Sequence, residues 1–190
     1  MKIILNLFIL LSFINYTIPC DCFEKNTESV NKMYNDSEFI FIAETIENVH
    51  LNKDVKSVLD TKKEGTEVLM RIKKIIKGKI ETENIITYQF NNGSCSKNFE
   101  FNKNYIIFGN QIKSFKSVNR SKNTIIENGE EIELPNSELK NSVLSIYNED
   151  SEFVDFWNKK KNKSTIVNTS LCLSGIENGR LHKILMKIKK

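Results

Sequence analysis

The clearest pattern in this chain is a series of short apolar runs separated by polar turns. Phe39-Ile40-Phe41-Ile42-Ala43 is dense in strand formers and predicts a buried strand that continues through Glu44-Thr45-Ile46. Val68-Leu69-Met70-Arg71-Ile72 predicts a second strand, running on to Ile75-Ile76 and punctuated by Lys77-Gly78-Lys79. Ile85–Phe90 and Tyr105–Gly109 predict two more, with Asn91–Ser94 and Asn102–Asn104 as turns and Phe99-Glu100-Phe101 between them. The polar segment His50–Thr66 reads as a hairpin tip or long loop. Short strands at these spacings, with no βαβ alternation, predict a mainly β fold built on a small antiparallel barrel.

Helical spacing appears at both ends and late in the chain. Glu24–Lys32 lacks Gly and Pro, and Val30, Met33 and Tyr34 give it an apolar stripe, so a short helix should end near Asn35-Asp36-Ser37. Between Ile112 and Ile166 the rhythm changes. Asn128-Gly129, flanked by Ile125, Ile126 and Ile132, predicts a hairpin over Thr124–Leu134. Asn136–Lys163 then reads as helical, with Leu139, Val143, Ile146 and Tyr147 on one face and Phe153, Phe156 and Trp157 on another. The basic run Lys159–Lys163 suits a helix C-terminus, and the aromatic cluster reads as core packing rather than a ligand box. Val167–Cys172 predicts a strand. In Gly179–Lys190, Leu181, Ile184, Leu185 and Ile188 mark an amphipathic helix.

The first nineteen residues stand apart. Lys2 followed by the apolar Ile3–Ile14 reads as a secretory leader. The run is shorter than the ~20 residues of a spanning helix. Residues 1–19 are therefore taken as a signal peptide and 20–190 as a single exported domain with no membrane span. Two fates of Cys20 stay open: a free mature N-terminus, or a lipid-modified cysteine at a cell surface.

Charge narrows the partners. The 190 residues hold 28 Lys and Arg against 24 Asp and Glu, for a net +4, which falls to +3 without the leader because Lys2 is its sole charge. That balance argues neither for nucleic acid nor for a membrane surface, and a chain this rich in Asn, Lys and Ile has the bias of an AT-rich genome, so the number of its lysines is no evidence of a basic binding face. Asn-x-Ser/Thr acceptors fall at Asn35, Asn92, Asn119, Asn162 and Asn168. A monomer is expected.

Candidate chemistry is sparse. His50 and His182 are the only histidines, one in a polar loop and the other in the tail helix. No cluster has zinc spacing, and no Gly-rich phosphate loop, Gly-x-Ser-x-Gly elbow or cofactor fingerprint occurs. Glu44 and Glu47 fall on opposite faces of a strand. The chain is read as a non-enzyme without cofactor. Cysteines carry more information. Cys20, Cys22, Cys95 and Cys172 allow three pairings. A Cys20–Cys22 ring fights disulfide geometry, so both remaining options tie the N-terminus to Cys95 and to Cys172. Each bond would close a loop worth roughly 4 kcal/mol in the chain-entropy treatment.

Taken together, the leader, Cys20-Asp21-Cys22, the strand Phe39–Thr45, and Val68-x-Met70-x-Ile72 with Lys77-Gly78 resemble the netrin-like module. That module is shared by tissue inhibitors of metalloproteinases and their bacterial relatives. Gly93-Ser94-Cys95, Phe101, Tyr105–Gly109 and Leu171-Cys172 extend the likeness, which covers roughly 20–112 and 166–175 and leaves 113–165 as an insertion. The resemblance implies an OB-fold-like five-stranded barrel with a helical insertion and C-terminal helix. It also implies the pairing Cys20–Cys95 and Cys22–Cys172. By the same resemblance the chain is a metalloprotease inhibitor. The α-amino group and carbonyl oxygen of Cys20 would chelate the partner's catalytic zinc, and Asp21 would face the specificity pocket. Cys22 and Asn91, Asn92, Gly93 and Ser94 would complete the protease-binding ridge. An exported or surface-anchored binding module without inhibitory activity is the alternative.

Overall fold

The computed structural model describes Cys22 and residues 24–89, 96–122, 124–127, 130–133, 137–148 and 151–189. The leader, Cys20, Asp21, Asn91–Ser94 and Cys95 lie outside them. In chain order the elements are α1 (Thr27–Asp36), β1 (Phe39–Asn48), α2 (Lys53–Lys62), β2 (Glu64–Gly65), β3 (Val68–Lys77) and β4 (Asn84–Gln89). Then follow β5 (Phe99–Glu100), β6 (Asn104–Ile112), β7 (Ser114–Val118), β8 (Thr124–Glu127), β9 (Glu130–Glu133), β10 (Ser137–Lys140) and β11 (Val143–Tyr147). The last are α3 (Ser151–Lys161), β12 (Thr165–Thr169), β13 (Ser174–Ile176) and α4 (Arg180–Ile188).

Strand β1 is apolar without a break from Phe39 to Ala43 because both of its faces are covered. Phe39, Phe41 and Ala43 join Val68, Met70, Ile85, Phe99, Tyr105, Ile107 and Val167 in one cluster inside the barrel. Ile40 and Ile42 instead pack, with Ile106 and Phe108, against Val30 and Met33 of α1 and Leu181 and Leu185 of α4. A third cluster covers another wall, where Ile86, Tyr88, Ile112 and Ile166 meet Phe115, Leu144, Ile146 and Trp157. One period-2 pattern thus feeds three cores: alternate residues of the same strands face inward and outward.

The barrel closes in the order β1-β3-β4-β12-β6 and back to β1, an OB-fold-like five-stranded arrangement. It is mixed rather than wholly antiparallel. β12 runs parallel to β4, from Thr165 beside Ile85 to Thr169 beside Gln89. Parallel neighbours need a long crossover, and the chain between β4 and β12 supplies it. Closure also needs Gly109, where an added Cβ would lie 2.3 Å from the Asn168 carbonyl oxygen and 2.5 Å from Val167 Cγ1.

Two predicted segments are corrected. His50–Thr66 holds the helix α2, capped by the Asn52 side chain, which accepts from the Asp54 and Val55 amides at 2.8 and 3.1 Å. Lys63, left-handed at φ 57°, ends it. The insertion is not all helical either. Among its described residues only 151–161 is helix, whereas 137–147 forms the antiparallel pair β10–β11, turned by Asn141 and Ser142 at φ 51° and 62°. β11 then pairs parallel with β7, giving a three-stranded sheet beside the β8–β9 hairpin predicted around Asn128-Gly129. The aromatic cluster is core as expected: Trp157 is 3% exposed, stacked on Phe115 and edge-on to Tyr88.

Candidate functional site at the anchored N-terminal segment

The described part of the predicted ridge is Cys22, bonded to Cys172 across 150 residues of sequence. Cys172 lies in the short connection between β12 and β13, two strands that flank the same edge of β6 in succession. That connection is held locally. Phe108 N–H donates to the Leu173 carbonyl at 2.8 Å, and Thr169 Oγ1 donates to the Phe108 carbonyl at 3.0 Å. Ser174 Oγ donates to the Ser170 carbonyl at 2.8 Å. The second predicted bond, Cys20–Cys95, and the ridge residues Asp21 and Asn91–Ser94 lie outside the described residues.

The chain after Cys22 is fixed by α1. Asn26 caps it in a reciprocal box with Ser29, at 2.9 and 3.1 Å. Lys25, just before the cap, reaches the Ser174 carbonyl at 3.4 Å. Burial holds the Lys25 ammonium below its ordinary pKa, and repulsion from Lys97 adds to the shift. Lys97 follows β4 in sequence, so charge from the segment after β4 acts on the segment before α1.

Gln89 fixes the second of these segments. Fully buried at the end of β4, it accepts from Lys97 N–H at 2.6 Å and donates to the Lys97 carbonyl at 2.7 Å and the Thr66 carbonyl at 2.9 Å. Beside it lies Glu67, whose carboxylate accepts from the Thr66 hydroxyl at 2.6 Å. Burial pushes the Glu67 pKa up; the Thr66 hydroxyl and the nearby His50 oppose the shift without cancelling it. Neither Gln89 nor Glu67 stands out in the sequence. Each sits at or just outside the end of a strand, where a polar residue is ordinary, so no pattern singles it out.

The remaining candidates are dispersed. His50 Nδ1 accepts from the Asn52 amide at 3.1 Å, and His182 Nδ1 from the Asn178 amide at 2.9 Å. Glu44 is paired with Lys73 at 2.7 Å and Glu47 with Lys56 at 3.0 Å. The hydrogen bond from Lys73 holds the Glu44 pKa below its ordinary value. Among the described residues no His, Cys, Asp and Glu group is placed to hold a metal ion, and no helix is long and apolar enough to cross a membrane. Fold and site together define a mixed, OB-fold-like barrel with its N-terminal segment stapled to the wall. No family model, curated protein or solved structure matches this chain.

Proposed function

We propose that the chain is an exported netrin-like protein that inhibits a zinc metalloprotease through its processed N-terminus. In this reading the α-amino group and carbonyl oxygen of Cys20 chelate the protease's zinc and displace the water that would attack substrate. The observation that carries the reading is the Cys22–Cys172 bond, which fixes the backbone two residues from Cys20. A terminus already immobilised loses little further freedom when it enters a partner's cleft. An α-amino group, with a pKa near 7.7–8.0, also gives up its proton to a metal at neutral pH more readily than a lysine. Repulsion of the Lys25 ammonium by Lys97 supports a contact surface built from both segments. Asp21 would enter the pocket beside the zinc. A carboxylate is costly to bury among apolar groups, so the reading commits to a protease whose pocket is polar or cationic.

The test compares the processed protein with one carrying an additional alanine ahead of Cys20 against a panel of zinc proteases. Inhibition should weaken by about a hundredfold or more, the scale of removing one member of a buried charged contact. Equal inhibition by the extended form would reject the chelation. Intact mass of the exported protein decides the state of Cys20. A diacylglyceryl adduct there would replace this reading with that of a surface-anchored binding module.

A further inference from the structure

Helices α1 and α4 pack side by side, and between them runs an open cleft of about 540 Å³. Its lining is Lys25, Asn26, Thr27, Arg180, Lys183, Ile184 and Lys187: four cations and no carboxylate. One anion stands at its edge, Glu24, whose Oε1 is 3.5 Å from Arg180 Nη2, both side chains being well exposed. Composition explains how many lysines the chain has, but not how they are sorted. On the other flank of α1 a second groove, of about 560 Å³, is bordered by Glu24, Glu28 and Asp36 with Lys32 as its one cation. The α1–α4 layer therefore presents a positive flank and a negative one.

We infer that the α1–α4 cleft is a docking surface for an anionic lipid bilayer, with headgroup phosphates seated among Lys25, Arg180, Lys183 and Lys187. Three observations favour a bilayer over a soluble anion. Three of the cations, Arg180, Lys183 and Lys187, are spread along two turns of α4 rather than converging on one point, which suits an array of headgroups. The cleft carries the apolar side chain of Ile184 among its cations. Beside Lys187 on α4, Met186 is 37% exposed although the helix buries Leu181 and Leu185 in the core. An apolar side chain set in a basic helical face suits the headgroup boundary. The negative flank of α1 would be repelled by the same surface and fixes the orientation. This inference is independent of protease inhibition.

The test is co-sedimentation of the exported, processed protein with vesicles of phosphatidylcholine alone and of phosphatidylcholine mixed equally with phosphatidylglycerol. Binding is expected only to the anionic vesicles and should fall with added salt. Each of Lys183→Gln and Lys187→Gln should weaken it about fivefold, the share of one surface cation. Met186→Ser should weaken it too, without shifting the thermal melt. Equal binding to both vesicle types would overturn the inference, as would no binding to either. Full binding by the Lys183→Gln/Lys187→Gln pair would also overturn it. So would saturation of the cleft by inorganic phosphate, or by a polyanionic polysaccharide, in the absence of any vesicle binding.

Discussion

At the scale of single residues, the end of β4 is where the protein holds an unfavourable charge. Glu67 is half-buried there, and its folded pKa lies above the ordinary 4.5. The sign follows directly. Below the unfolded pKa the carboxyl is neutral in both states and its penalty is absent; as pH rises through the folded pKa, ionisation is disfavoured only in the fold and stability falls. Glu67→Gln should therefore flatten the loss of stability above pH 4.5 and leave stability unchanged at lower pH. Denaturant midpoints across a pH series measure this, and parallel curves for the two proteins would contradict it. Residues of this kind are not legible in sequence. Glu67 precedes a strand and Gln89 ends one, and only the fold sets both beside Thr66. Cys22 and Cys172 were legible as a staple, their pairing being what the netrin-like resemblance implied.

At the scale of elements, the barrel strands were legible and the connections were not. β1, β3, β4 and β6 announce themselves by dense apolar runs, and α1 and α4 by their helical stripes. Residues 137–147 mislead because Leu139, Val143, Ile146 and Tyr147 fit a helix face. In the fold it is Leu144 and Ile146, two apart, that are buried, and the Asn141-Ser142 turn settles the matter. Helix α2 is hidden for a different reason: none of its residues is buried, so it has no apolar stripe to read. It is instead clamped by polar contacts, with Asn48 N–H and Nδ2 donating to Asp60 Oδ1 at 3.0 and 2.9 Å. The insertion, by contrast, is fastened by Trp157, which meets Tyr88 of the barrel and Phe115 of β7. Trp157→Ala should cost about 3–5 kcal/mol, the usual range for emptying such a site. A single melting transition at lower temperature is the expected readout; an unchanged melt would mean the insertion folds without its anchor.

At the scale of the whole molecule, the sequence told that a barrel would form but not how it would close. The parallel β4–β12 pair joins strands far apart in the chain, and no local pattern encodes it. The Cys22–Cys172 bond spans much of the same distance. Replacing both by serine removes a loop constraint worth up to about 5 kcal/mol in the chain-entropy treatment. The Cys22→Ser/Cys172→Ser protein should melt well below the parent in non-reducing buffer, and the two should converge once both are reduced. Equal melts without reductant would show that the staple constrains little. The pairing of α1 with α4 has one more outcome, for anyone handling the molecule. Arg180 at the start of α4 meets Glu24 ahead of α1, whereas Lys189 reaches the Ile76 carbonyl, next to Lys77, which holds the Tyr34 and Asn35 carbonyls at the far end of α1. The two helices run in the same sense, so an affinity handle fused behind α4 crowds the Lys187 end of the cationic cleft and leaves the stapled terminus clear.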